Sequence, residues 1–90
     1  MEYEWDDAKY AANLHKHGVS FEMVENFDWT TAFVVADERF EYGEERRFAI
    51  GMIGSRIHVL VFTIRKDRIR VISLRKAKLK ERKLYHEQNR

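Results

Sequence analysis

Cysteine is absent from this sequence, and its apolar runs are short. Without cysteine the chain has no disulfide, no thiolate metal site and no cysteine nucleophile, which fits a reducing cytoplasm. Apolar runs such as 59–62 are far shorter than the roughly 20 residues that a membrane-spanning helix needs. Residues 1–4 are acidic where a secretory leader would be basic. We therefore expect a cytoplasmic protein that does not contact a membrane.

The length of 90 residues is enough for a single domain, here 1–90, with one modest core. The composition, 44% hydrophobic and 36% charged, is typical of a globular protein. A net charge of +2 hides a division: residues 1–45 hold twelve acidic and three basic side chains, and residues 46–90 hold three acidic and fourteen basic ones. A basic half indicates nucleic-acid binding, and an acidic half indicates a separate protein contact. The alternative is that folding pairs these charges across the sheet.

Hydrophobic periodicity and turn residues predict an α+β fold with helices packed on an antiparallel sheet. Asp6 or Asp7 is suited to begin the first helix, and Gly18 is suited to end it. Gly54-Ser55 predicts a hairpin turn, and the strand that follows is apolar on both faces and is expected at the centre of the sheet. The predicted strands are 2–5, 31–36, 46–53, 56–64 and 69–74, and the predicted helices are 7–17, 21–26 and 76–88.

The stretch 68–82 joins a β-branched strand to a basic, helix-prone segment. Arg70 and Arg75 flank the apolar centre of that strand. Because a strand holds its residues rigidly and arginine binds phosphate bidentately, the stretch favours phosphate binding. The alternative is that these arginines are solvated and form surface ion pairs. A second polar group shares a narrow arc of the first helix and consists of Lys9, Asn13 and Lys16, with His17 at its edge.

Motifs for metal or serine chemistry are absent from the sequence. His15 and His17 are two residues apart, so a helix turns them to different faces. His58 lies in an apolar strand and is predicted to be a satisfied core or rim histidine, and Ser73 has no partner at a triad spacing. We therefore expect neither a metal nor a cofactor.

RNA can be cleaved without a metal when its own 2′-OH attacks the adjacent phosphate. The reaction needs a proton acceptor, a proton donor and cations that bind the doubly charged phosphorane. The residue types that could supply these parts are found at Lys16, His17, Arg65, Arg75 and Lys76. Two alternatives involve no catalysis: a nucleic-acid-binding module, and a protein-interaction subunit whose basic terminal helix receives an acidic partner.

Two segments, E-W-D-D-A-K-Y-A-A-N-L-H-K-H-G-V-S-F at 4–21 and I-R-V-I-S-L-R-K-A-K-L-K-E-R at 69–82, together with Tyr85, resemble the BrnT family of bacterial toxins. The stretches 43–46 and 61–65 extend the resemblance through the middle of the chain. It implies a RelE-like fold, β-α-α-β-β-β-α, with about four antiparallel strands. It also implies a ribonuclease that arrests translation, and a cognate BrnA-type antitoxin that carries a ribbon-helix-helix DNA-binding part. Promoter DNA would be bound only through that antitoxin.

The resemblance also implies site residues at matching positions. The expected catalytic residues are Lys16, His17, Arg65 and Arg75. The expected RNA-binding residues are Lys9, Asn13, Arg70, Lys76 and Arg82, and Glu81 and Arg82 either pair or contact RNA. Trp5 is assigned to packing and Asp6 to the helix cap. Ile64 stands where the family pattern has a glutamate, which removes a possible carboxylate base and leaves the general acid and base open.

Overall fold

Five strands, two α-helices and one 3-10 helix form in the part of the chain, residues 2–39 and 41–90, that a computed structural model describes. The strands are β1 (Glu2–Trp5), β2 (Phe33–Asp37), β3 (Arg46–Ile53), β4 (Arg56–Arg65) and β5 (Arg68–Lys76). The helices are α1 (Asp7–His17) and α2 (Leu79–Gln88), and the 3-10 helix is Phe21–Asn26. No helix in the described ranges has the length and apolar character of a membrane span.

The strands form one mixed sheet in the order β1-β5-β4-β3-β2. Strand β4 is central, as its apolar faces predicted. The α+β class is confirmed, but the sheet of about four antiparallel strands and the order β-α-α-β-β-β-α are wrong, because four strands rather than three follow the 3-10 helix. The first strand, β1, lies at the edge and runs parallel to β5, with Tyr3 opposite Ile69. A parallel pair requires a long connection, and the whole chain between β1 and β5 supplies it.

Two helix predictions change in detail. The predicted helix at 21–26 is a 3-10 helix, begun by Ser20, whose hydroxyl accepts from the backbone N–H of Glu22 at 3.3 Å. The predicted last helix began at Lys76, but Lys76 ends β5 opposite His58. Helix α2 starts only at Leu79, because strand pairing with β4 holds the chain extended up to residue 76.

The sheet separates two apolar clusters. The larger one lies under α1 and the 3-10 helix and includes the fully buried Phe21, Leu60 and Val71. The smaller one lies under α2 and includes Ile50 and Tyr85. On the same face of β4, Val61 lies beyond this cluster and lines an open cleft.

Candidate active site

Helix α1 is attached to the free edge of β5 through one buried asparagine. Strand β1 pairs only with residues 68–71, so in the described sheet no strand lies beside Leu74 on this edge. Asn13 fills that place: its Nδ2 donates to the carbonyls of Leu74 at 2.8 Å and Val19 at 2.9 Å, and its Oδ1 accepts from the N–H of Leu74 at 3.1 Å. Asn13 is 6% exposed. Both N–H groups of its amide are therefore bonded inside the protein, where the residue positions α1, and the RNA contact of Asn13 stays a prediction.

The basic face of α1 lies beside this same edge. Asp6 begins the helix, and its carboxylate accepts from backbone N–H groups of the first turn at 2.8 and 3.3 Å. Gly18 ends the helix with a φ of 67°, a left-handed conformation that suits glycine. Because α1 docks beside β5, the three basic side chains of the predicted arc line one cleft. They are Lys9, Lys16 and His17.

A β-bulge in β5 shapes the floor of this cleft. The pairing of β4 with β5 skips Ile72, since consecutive residues of β4 pair with residues 73 and 71. Val71 and Leu74 are therefore both fully buried in the core, although residues three apart in a regular strand face opposite sides. Ile72 and Ser73 line the cleft, and Arg75, which follows the buried Leu74, lines it too.

The cleft between α1 and the open sheet face has a volume of about 680 Å³. Its floor is formed by Val61, Ile72 and Ser73. No carboxylate of the described residues lines it. The lining cations and the imidazole are Lys9, Lys16, His17, Arg39, Arg75, Lys76 and Lys78. A concave surface with one sign of charge concentrates ions of the opposite sign, which for this cleft are anions such as phosphate.

The surroundings of His17 favour its neutral form. Partial burial is the largest cause that lowers its pKa below the usual 6.5, and the positive charges of Lys16, Arg75 and Lys78 add to the effect. A neutral imidazole has a ring nitrogen that can accept a proton. The cleft therefore contains a proton acceptor at neutral pH.

Arg75 is fixed at the rim of the cleft by a carboxylate of α2. Its Nη1 and Nη2 each donate to an oxygen of Glu81 at 2.8 Å. Glu81 also accepts from the N–H of Lys78 at 2.7 Å, which caps α2. The bond from Arg75 is the main cause that lowers the pKa of Glu81. Glu81 thus pairs with Arg75 rather than with Arg82, and the Nε–H of Arg75 has no partner among the described residues.

Two cations of the cleft were missed by the sequence prediction. Lys78 lies in the basic run after β5, so composition could have identified it. Arg39 belongs to the acidic connection after β2, and no sequence signal distinguishes it. Its guanidinium nevertheless lines the cleft, bonded to Asp37.

Arg65 lies away from the cleft. It pairs with Glu44 at 3.0 Å at the end of β4. Its neighbour across the sheet is Arg68, seven residues from Arg75, which corresponds to about 23 Å along the strand. The adjacent Ile64 is 53% exposed and does not line the cleft.

Two predicted RNA contacts also lie elsewhere. Arg70 donates to Glu4 at 2.7 Å, between β5 and β1. Arg82 donates to the carbonyl of Ala77 at 2.9 Å and lines a separate groove beside α2. Of the predicted RNA-binding residues, the cleft brings together Lys9 and Lys76, with Asn13 on its border.

His58 is in the core, as predicted, but it is only half satisfied. It is 2% exposed, and its Nδ1–H donates to the carbonyl of Arg56 at 3.0 Å. Its Nε2 has no hydrogen-bond partner among the described residues. Burial is the largest cause that lowers its pKa. Residues 2–39 and 41–90 contain no group of three or more His, Asp or Glu side chains that could hold a metal ion.

An α+β domain with a cation-lined cleft and a neutral histidine has the features of a small RNA-cleaving protein. A sequence model described as "Ribonuclease toxin, BrnT, of type II toxin-antitoxin system" matches residues 5–81. The chain therefore belongs to the BrnT family of ribonuclease toxins, which confirms the family and the ribonuclease function predicted from its motifs.

A solved structure agrees with this assignment. The crystal structure of the Brucella abortus ribonuclease toxin BrnT is similar to the structure of this chain, with a TM-score of 0.68 and 30% sequence identity. The similarity covers 87% of this chain and 97% of that chain. The search of curated proteins gives no match. As a toxin of a type II system, the protein has an RNA substrate and an antitoxin partner.

Proposed function

We propose that the cleft is the catalytic site of the toxin and that it cleaves RNA through the 2′-OH of the substrate, without a metal ion. The observation that carries this proposal is His17, a histidine of lowered pKa among six lysine and arginine side chains. A proton acceptor and a dense set of cations are the parts that this reaction requires.

His17 takes the proton of the 2′-OH, whose oxygen bonds to the adjacent phosphorus. The bond between phosphorus and the 5′ oxygen of the next nucleotide breaks, and Lys16 donates a proton to that oxygen. The products are a 2′,3′-cyclic phosphate and a 5′-OH. Because Ile64 cannot act as a base and is absent from the cleft lining, the acceptor role is assigned to His17.

Arg75 and Lys76 stabilise the charge of the phosphorane in this proposal. Arg75 suits the role because Glu81 holds its guanidinium in one orientation while its Nε–H can face a phosphate. Arg65, Arg70 and Arg82 lie outside the cleft. We assign them to RNA that flanks the cleaved phosphate rather than to catalysis.

We also propose a BrnA-type antitoxin with a ribbon-helix-helix part as the partner, with promoter DNA bound only through it. Exposed Leu79 and Leu84 on the basic helix α2 support an antitoxin contact there that also occludes the cleft. The N-terminal helices beside a mainly antiparallel sheet, with α2 across one face, support a RelE-like layout. An RNA substrate supports a cytoplasmic site of action and inhibition of translation.

Substitution of Arg75 tests the catalytic assignment. Arg75→Ala should lower the rate of RNA cleavage about a hundredfold, because it removes a fixed charge from the transition state. Arg75→Lys should recover only part of this, since lysine lacks the planar fork. Cleavage is measured in excess chelator, with end analysis for the cyclic phosphate and with thermal unfolding of each variant.

Arg68→Ala is the matched control, because Arg68 is an ion-paired arginine of the same strand outside the cleft. It should cleave at the wild-type rate. A folded Arg75→Ala protein that cleaves as fast as Arg68→Ala would contradict the site. Loss of wild-type cleavage in chelator, with recovery in magnesium, would contradict the metal-free route.

A further inference from the structure

We infer that Arg39, oriented by the buried carboxylate of Asp37, forms a second phosphate subsite on the far wall of the cleft. The group bound there is a backbone phosphate of RNA that flanks the cleaved one. This inference rests on the proposed function of the cleft, and it adds a residue that the catalytic steps do not use.

Arg39 enters the cleft from the opposite side to the proposed catalytic residues. It follows β2, the edge strand that lies three strand spacings, about 14 Å, from β5. Lys16 and Arg75 come from α1 and β5 at the other side, yet all three side chains line one cleft. An RNA strand that lies across the floor at Val61 can therefore meet cations on both walls.

The carboxylate of Asp37 holds the guanidinium of Arg39 in place. Its Nε donates to Asp37 Oδ1 and its Nη2 to Asp37 Oδ2, both at 2.8 Å. Tyr42 donates to the same carboxylate at 3.3 Å, and the guanidinium of Arg46 lies 3.9 Å from the centre of the Tyr42 ring. A clamp of this kind fixes the direction in which the arginine points.

The exposed fractions of the Arg39 and Asp37 side chains indicate which of the two can face a ligand. The side chain of Asp37 is 0% exposed, whereas that of Arg39 is 61% exposed. Burying a carboxylate is costly unless it is paired, so the carboxylate here serves as the anchor and the cation is presented to the cleft. Arg39 holds the pKa of Asp37 at about 2, so the clamp stays ionised throughout the physiological range.

The chemistry of the exposed Arg39 guanidinium favours a phosphate as its ligand. Of the five N–H donors of Arg39, two are bound by Asp37, and Tyr42 interacts with the same guanidinium. With respect to residues 2–39 and 41–90, donors remain for an anion, and a planar guanidinium matches a phosphate better than a point charge does. Arg39 lies across the cleft from the residues assigned to cleavage. It therefore contacts a phosphate only when the RNA extends beyond the two nucleotides that flank the cleaved bond.

Binding of uncleavable RNA of two lengths tests this subsite. The probes are a 2′-O-methyl dinucleotide and a 2′-O-methyl oligonucleotide of about eight nucleotides, within the size that one small domain covers. Arg39→Ala should weaken binding of the longer probe about tenfold, as expected for one charge-assisted hydrogen bond, and leave the dinucleotide unchanged. Arg39→Lys should restore part of the loss, and Asp37→Asn should weaken the longer probe without removing the cation.

Cleavage assays of the same variants separate this inference from the proposed function. Arg39→Ala should raise KM on long RNA and leave kcat unchanged, with Arg68→Ala as the control for a surface arginine. Equal effects of Arg39→Ala on both probe lengths, or none on either, would overturn the subsite. If Arg75→Ala and Lys16→Ala leave cleavage intact, the proposed catalytic function fails, whereas the length dependence at Arg39 still decides the subsite.

Discussion

At the scale of single residues, the proton chemistry proposed for the cleft depends on His17. Partial burial and neighbouring positive charges lower its pKa below the usual 6.5, which favours the neutral ring at pH 7. If His17 is the proton acceptor, the cleavage rate should be constant near neutrality and should fall as pH decreases through that lowered pKa. Single-turnover cleavage between about pH 5 and pH 8 measures this dependence.

His17→Gln supplies the comparison for that profile, because glutamine keeps a polar side chain and cannot titrate. The variant should be slow at every pH and should lack the acidic decline. Exposed His86 on α2 provides the control, and His86→Gln should keep the wild-type profile. An identical acidic decline in wild type and His17→Gln would assign the proton acceptor to another group.

Residue roles differ in how far the sequence could reveal them. The helical arc of Lys9, Lys16 and His17 follows from a period of 3.6 residues, so it was predictable. Arg39 was not, because its place in the cleft results from a pair with Asp37 and from strand order, neither of which leaves a local pattern. Asn13 was predicted on the polar arc, but only the unpaired edge of β5 explains its burial.

At the scale of secondary-structure elements, the position of α1 depends on Asn13. Asn13→Ala would leave the backbone groups of Leu74 and the carbonyl of Val19 without their partners in a buried place. We expect the free energy of unfolding to fall by about 2 to 3 kcal/mol, the cost of unsatisfied buried groups. Cleavage should also fall, because α1 carries Lys16 and His17.

Chemical denaturation of Asn13→Ala, with Asn26→Ala as control, measures this effect. Asn26 is an exposed asparagine at the end of the 3-10 helix, and its replacement should change stability by less than about 0.5 kcal/mol. Equal stability of the two variants would show that α1 docks without the amide.

Hydrophobic periodicity alone does not determine the strand register or the number of strands in the sheet. The Gly54-Ser55 turn and the central β4 were predicted from local patterns, and the structure places them so. The bulge at Ile72 was not, because the run Val71 to Leu74 is apolar enough to fit either register. Membership of β1 in the sheet depends on a partner 66 residues away and could not be derived from residues 2–5 alone.

At the scale of the whole molecule, the division of charge has two outcomes. Acidic residues of the first half pair with arginines of the second half at one end of the sheet, as Glu4 does with Arg70 at 2.7 Å and Glu44 with Arg65 at 3.0 Å. The cleft is lined by cations and lacks carboxylates among the described residues. Folding therefore pairs part of the charge at that end of the sheet and leaves the cleft positively charged.

This distribution predicts strongly salt-dependent RNA binding. Each phosphate neutralised by a cleft cation releases counterions, so log affinity should fall linearly with log salt, by about 0.7 per contact for a single strand. Lys9→Ala should reduce that slope by about one contact, whereas Arg68→Ala should leave it unchanged. Titrations of 2′-O-methyl RNA across salt concentrations provide the slopes, and a flat plot for the wild type would show that phosphates are not bound in the cleft.

The contact between α1 and β5 determines when the cleft can form during synthesis of the chain. The bonds between Asn13 and Leu74 join residues 61 positions apart, and β1 pairs with the last strand of the sheet. A protein leaves the ribosome from its N-terminus, and contacts between distant residues form late. A growing chain that carries His17 has no β5 against which α1 can dock until residues near Arg75 have also emerged. A nascent chain that has not yet released β5 from the ribosome therefore lacks the assembled cleft, although it already carries Lys16 and His17.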